Sequence, residues 1–155
     1  AHDIRAMEQS VVAQETAEAR IAAARALTTE LPSEASGWLL LALALPQGDA
    51  ERGVALSRAV ELEPLSAYAL NELAAFRCGE GRCSESIELV EKASRLAPGD
   101  SRVQAGAAAV LMKAGQCSKA AVNQQRALEV LPHRASAALR GQLLSRLGEY
   151  LKCGR

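Results

Sequence analysis

The chain has 155 residues and a mass of 16.3 kDa, enough for one domain with a real core. Hydrophobic residues make up 49%, which excludes a disordered chain, and aromatic residues only 3%. An apolar fraction carried by Ala and aliphatics favours closely packed helices over strands. With 18 Lys/Arg against 18 Asp/Glu, the chain as a whole lacks the basic signature of a nucleic-acid binder.

The zero net charge conceals an asymmetry. Residues 1–66 hold 5 Lys/Arg against 10 Asp/Glu, a balance of −5, whereas the last 55 residues hold 9 against 2, a balance of +7. Such charges are either solvated helix faces or an acidic end and a basic end that orient partners or stack molecules head to tail. The longest apolar run, Trp38 to Leu45, is too short to cross a bilayer, which takes roughly 20 residues. The N-terminus lacks the basic-then-apolar order of a signal peptide, as in a chain that never had one, has lost it, or is a segment of something longer.

In chain order, residues 1–32 come first. Ile4, Met7 and Val11, then Ile21, Ala24, Leu27 and Leu31, give an intermittent apolar stripe with a polar stretch between. One or two helices are expected here, capping the first full repeat or ending a degenerate earlier one; a dimerising helix or one lying in a groove is the alternative. The chain then becomes periodic. Pro32, Pro64, Pro98 and Pro132 are separated by 32, 34 and 34 residues, and Gly48, Gly81, Gly115 and Gly148 stand midway between them or beyond the last. Gly ends a helix at low cost and Pro cannot continue one, so the unit is helix, Gly turn, helix, Pro turn. Residues 33–66, 67–100 and 101–134 form three units, and 135–155 a partial fourth or a capping helix. That fourth unit breaks off soon after its expected Gly148 turn, which favours a segment of a longer protein. Ala59, Ala93 and Ala127 each stand five residues before a proline.

Period, mid-unit glycine, small residue and closing proline together resemble the tetratricopeptide repeat (TPR) family. Residues 67–100 match best, through Ala69, Leu70, Leu73, Ala74, Gly81, Ile87, Lys92, Ala93, Leu96, Pro98 and Asp100. Residues 101–134 match through Ala107, Ala108, Leu111, Gly115, Ala120, Ala127 and Pro132. The family's aromatic positions are replaced, by Arg77, Cys83 and Val90 for example, and residues 33–66 carry Trp38 two places late and Pro46 inside the turn. The resemblance implies an all-α, right-handed helical-hairpin solenoid whose first helices line a concave face that takes a peptide or helix of a protein partner. At i, i+3, i+7 and i+10, that face would present Tyr68, Asn71, Ala75 and Cys78, then Arg102, Ala105, Ala109 and Met112 with Lys113 beside them. The first unit would offer Glu34, Gly37, Leu41 and Ala44, and the fourth Ser136, Leu139 and Leu143. The small residues let a backbone come close, or only relieve crowding, and the cations call for an acidic segment. The family's basic cluster for a partner's terminal carboxylate is not reproduced.

Four cysteines allow three full pairings. Cys78 and Cys83 flank a turn, and Cys117 and Cys153 are expected at the starts of successive second helices, so disulfides 78–83 and 117–153 are favoured over 83–117. Disulfides would place the chain in an extracytoplasmic compartment such as the periplasm; four thiols filling small apolar slots would suit the cytoplasm. No CxxC pair occurs, and His2 and His133 sit at a terminus and in a turn, so no metal is expected. GEGRCS at 79–84 lacks the last glycine of a dinucleotide loop, and no GxSxG, HExxH or GK[ST] motif occurs. The reading is a non-enzymatic scaffold without a cofactor. A small secretion-type chaperone and the interaction segment of a larger enzyme are the alternatives.

Overall fold

The computed structural model describes residues 3–153, and among them every regular element is an α-helix. The chain forms two compact units, Ala1–Pro64 and Leu65–Arg155. The first holds α1 (Ile4–Val12), α2 (Ala17–Glu30), α3 (Ala35–Ala44) and α4 (Ala50–Leu62). The second holds α5 (Ala67–Gly79), α6 (Cys83–Leu96), α7 (Ser101–Lys113), α8 (Cys117–Glu129) and α9 (Ala137–Lys152). No described helix is long and apolar enough to cross a membrane.

The punctuation works as two kinds of chemistry. After Pro64, Pro98 and Pro132 a side chain caps the next helix, whereas α3, after Pro32, has no side-chain cap. Ser66 accepts from the Ala69 N–H, Asp100 from those of Arg102 and Val103, and Ser136 from that of Leu139. After Gly81 and Gly115, α6 and α8 begin without a side-chain cap, and the glycine closes the preceding helix instead; α4, after Gly48, is capped by Asp49. Gly81 and Gly115 have φ of +85° and +77°, where a Cβ would be strained. The Arg82 N–H donates to the Arg77 carbonyl at 2.9 Å and Gly81 N–H to Cys78 at 3.0 Å. Gln116 and Gly115 donate to Leu111 and Met112 in the same pattern, so α5 and α7 both end in a Schellman turn.

The alanines before the prolines are where helices press together: Ala59, Ala93 and Ala127 are 1%, 0% and 0% exposed. In the first unit the core gathers Ala24, Leu27, Leu41, Ala42, Ala55 and Leu56. Gly37 lets α3 close on α2; a Cβ there would lie 3.2 Å from the Leu27 Cγ. The buried Arg52 donates to the carbonyls of Ala42 and Leu45, closing the end of α3, and Pro46 prevents its continuation. In the second unit Ala74, Val90, Ala107, Ala108, Val110, Leu111 and Ala120 form one cluster that also takes Tyr150. Between α6, α7 and α8 lies a buried polar knot. Ser94 Oγ donates to Gln104 Oε1, Gln104 Nε2 donates to the carbonyls of Ser94 and Ala97, and Asn123 Nδ2 reaches both Ser94 and Gln104.

The C-terminal segment departs from the sequence reading. Gly148 is not a turn, because α9 runs through it to Lys152. Interior glycine costs about 1 kcal/mol against Ala, but unwinding the helix there would withdraw Tyr150, only 6% exposed, from the core. Burying a large side chain is worth about 1.5–3 kcal/mol, so the helix continues. Cys153 therefore caps the C-terminus of α9 rather than starting a further helix. The pairs at disulfide distance are nonetheless Cys78–Cys83 and Cys117–Cys153, with Cα atoms 3.9 and 5.7 Å apart. Residues 3–31 form two helices, and α1 and α2 both pack on α3.

Candidate functional site

The sequence-derived partner face lies on α5 and α7, which pack side by side within the second unit. On α7 the expected residues share the outer side. Arg102 and Lys113 are exposed, Ala105, Ala109 and Met112 are half-buried, and Val103, Gln104, Ala107, Ala108 and Leu111 turn inward. On α5, Tyr68 (39% exposed) and Ala75 face outward, but Asn71 and Cys78 do not. Asn71 is 6% exposed and spends its amide on the Val103 carbonyl at 2.8 Å, with Oδ1 enclosed and without a hydrogen-bond partner. Gly106 makes room for it; a Cβ there would stand 3.0 Å from Asn71 Nδ2. Asn71 thus locks α5 to α7 instead of presenting its amide to a ligand, and Cys78 is paired with Cys83. The outer side of α5 includes the half-buried Glu72 and Phe76, which the heptad-like count passed over. Glu72 adds an acid to the α5 side. Arg102 also lies 4.0 Å from Asp100.

The first unit presents a different surface. Of Glu34, Gly37, Leu41 and Ala44, the structure buries Gly37 and Leu41 and leaves Glu34 and Ala44 half-buried. The open side of α3 carries Ser36, Leu39, Leu40 and Leu43, which with Glu8 and Val12 of α1 line an open groove of about 510 Å³. Val12 is 62% exposed and Leu43 41%. The signal for it was in the sequence: ASGWLLLALA is apolar all round, and such a helix wants cover on every side. Its uniform apolarity is also why the phase could not be read. In the partial fourth unit, Leu143 is buried while Ser136 and Leu139 are exposed.

Charge is organised locally. The Arg25 guanidinium, hydrogen-bonded to Glu51 across α2 and α4, lowers the Glu51 carboxyl below its ordinary value and is itself raised. Arg82 does the same to Glu85 within the first turn of α6. Burial pushes the Tyr150 phenol up. Among the described residues, no group of three or more His, Cys, Asp and Glu could hold a metal ion. His133 is exposed in the turn after α8, and His2 lies outside the described residues.

With hairpins, turns and faces in place, the architecture can be compared with solved structures. TTC0263, a thermophilic TPR protein of Thermus thermophilus, superposes with a TM-score of 0.76 over 97% of this chain and 82% of its own, at 16% identity. This chain has the TPR fold. YrrB, a TPR protein with an unusual peptide-binding site, matches at a TM-score of 0.67 over 94% of this chain and 73% of its own, at 15% identity. The Thermobaculum terrenum O-GlcNAc transferase matches at 0.66 over 84% of this chain but only 26% of its own, at 17% identity. No protein-family model matches the sequence, and no curated protein does. The TPR fold is thus shared while the side chains on its faces are this chain's own.

Proposed function

We propose that this chain is a non-enzymatic interaction scaffold whose α5–α7 face holds an extended or helical segment of a protein partner. The observation that carries this reading is the row of small side chains, the exposed Ala75 and the half-buried Ala105 and Ala109, on the face that also carries Tyr68 and Met112. A ligand backbone can approach there, and aromatic anchors carry a large share of binding energy. Arg102 and Lys113 favour an acidic ligand at the α7 side, while Glu72 keeps the α5 side from being uniformly basic. The solved structure of YrrB supports the reading by analogy, since its peptide-binding site is carried by the same fold.

The two cysteine pairs at bonding distance favour an oxidising, extracytoplasmic compartment over the cytoplasm of a secretion-type chaperone. A second reading, the interaction segment of a larger enzyme, has one observation in its favour: the transferase match spans a quarter of that enzyme. Affinity capture from the source cell with wild-type and Ala109→Arg baits tests the face. The variant, folded by circular dichroism, is expected to lose the partner, and Lys113→Ala to weaken it and flatten its salt dependence. Equal capture by wild-type and Ala109→Arg baits would move the site elsewhere.

A further inference from the structure

Two exposed apolar features lie outside the α5–α7 face, and neither is explained by packing within its own unit. One is the α1–α3 groove, walled by Val12, Leu39, Leu40 and Leu43. The other is a ridge on α9. Leu144 and Leu151 are each 54% exposed, seven residues apart on one side of the helix. Gly141 and Gly148 occupy the same side at i, i+3, i+7 and i+10 with the two leucines, and a Cβ added at either would meet nothing within 4 Å. The inward side of α9 is engaged, through Leu143 and Tyr150 in the interior and Cys153 paired with Cys117. The ridge is therefore held rigidly with its outer side bare.

We infer that the α9 ridge of one copy seats in the α1–α3 groove of a second copy. Three features select that occupant. The lengths agree: Leu144 to Leu151 spans two helical turns, about 10.5 Å, and so does the groove wall from Ser36 to Leu43. The shapes agree, since leucines alternating with glycines make a narrow knobbed edge that enters between two helices without a bulky shoulder. The charges agree. Arg140 and Lys152 bracket the ridge within a C-terminal third of net charge +7, and Glu8 lines the groove within an N-terminal region of net charge −5. The basic ridge attracts the acidic groove and like surfaces repel, which sets a ridge-to-groove contact between copies. Such a contact is heterologous; it closes into a reciprocal dimer or a ring, or extends into a chain.

The contact joins different surfaces, so it can be broken on each side and repaired by mixing. Sedimentation of the full chain from low to high micromolar concentration is expected to show mass rising above 16.3 kDa, and the rise shrinking in 0.5 M salt. Leu43→Arg destroys the groove and keeps the ridge; Leu144→Glu destroys the ridge and keeps the groove. Both sites are exposed, so folding should survive, as circular dichroism will show, and Val12→Arg serves as a second groove variant. Each variant alone is expected to stay monomeric throughout. An equimolar mixture of Leu43→Arg with Leu144→Glu is expected to form a 1:1 pair that grows no further, because only one intact groove and one intact ridge remain. A wild type that stays monomeric, variants that associate like wild type, or a mixture that fails to pair would each overturn the assignment. Since none of these substitutions touches the α5–α7 face, partner capture by that face should be retained in all of them.

Discussion

The two units solve the same packing problem with different means. The second is fastened: two cysteine pairs, the Gln104–Ser94–Asn123 knot and the Asn71 lock on α7 hold its helices in register. Its α5–α7 face can therefore carry the small Ala75, Ala105 and Ala109 without loosening the array. The first has no cysteine. It relies on apolar packing around Leu41, Leu56 and Gly37, and leaves leucines over on α3. Covalent and polar fasteners hold the register of the second unit, which still leaves apolar side chains such as Leu144 and Leu151 uncovered on α9. In the first, beside the Arg52 and Arg25–Glu51 links, an all-apolar helix secures the core and exposes its other side.

The largest expected effect breaks the fastening. Replacing Cys117 and Cys153 together by Ser opens a link between residues 36 apart in sequence; Cys78 and Cys83 are 5 apart. Chain entropy alone assigns about 4 kcal/mol to the first link and about 2 kcal/mol to the second. Urea unfolding without reductant should rank the double variants in that order, and adding reductant should bring all three proteins together. Thiol titration of denatured, unreduced protein should find no free thiol in the wild type. Equal stability of the two double variants would mean that native-state geometry or residual structure in the unfolded chain, not loop length, sets the benefit.

Next, the two sides of α3 should separate. Leu41 is 2% exposed and Leu43 41%. Leu41→Ala is expected to cost about 2–5 kcal/mol, and Leu43→Ala to stay within about 0.5 kcal/mol. Trp38 fluorescence during denaturation reports on this helix. A large effect at Leu43 would mean that the groove is filled.

The knot in the second unit comes third. Gln104→Ala strands the Ser94 hydroxyl and the carbonyls it served, for about 2–3 kcal/mol. Gln124 gives the contrasting case. Its amide donates to the Leu143 carbonyl, but its Oε1 is enclosed without a partner. Gln124→Leu removes that orphaned atom along with one hydrogen bond, so the change should remain within about 1 kcal/mol. Urea midpoints of the two variants check the ranking.

Legibility followed the same division. The 34-residue spacing located the turns because Gly and Pro act through the backbone, and α5 and α7 begin at Ala67 and Ser101 as the spacing requires. Phase was harder. On α7 charged, small and aliphatic residues alternate, and the outer side was readable from Arg102 to Lys113. On α5 an Asn counted as a ligand contact proved to be an interhelical lock, because a buried amide paired with a carbonyl looks in sequence like a surface amide. On α3 no phase existed to read. Gly148 misled because a turn signal is overridden when a buried tyrosine follows two residues later. The link from Cys117 to Cys153 was reached through a wrong placement: both residues lie at helix ends, but Cys153 ends α9 and does not start a helix.

The smallest expected effect is a pH response that distinguishes the two surface ion pairs. Arg25 and Arg82 depress the carboxyls of Glu51 and Glu85 chiefly through hydrogen bonds. A carboxyl depressed in the folded state contributes stability that is present above its unfolded value. That contribution is lost as pH falls through the folded value, below the ordinary glutamate 4.5. The sign is the same for both pairs; the consequence is not. Glu85 and Arg82 are three residues apart in one helical turn, so protonation frees only the start of α6. Glu51 and Arg25 are 26 residues apart and join α4 to α2, so protonation unlatches two helices in the unit that lacks cysteine links. Both pairs are exposed and screened, so global stability should hardly move. Hydrogen exchange is the sensitive readout. Between pH 6 and pH 3, after correction for intrinsic rates, α2 amides should lose protection relative to those of α6. Glu51→Gln should impose the low-pH pattern on α2 at pH 6 and abolish its further change. If α2 and α6 lose protection in parallel in the wild type, the long-range pair is no more a fastener than the local one.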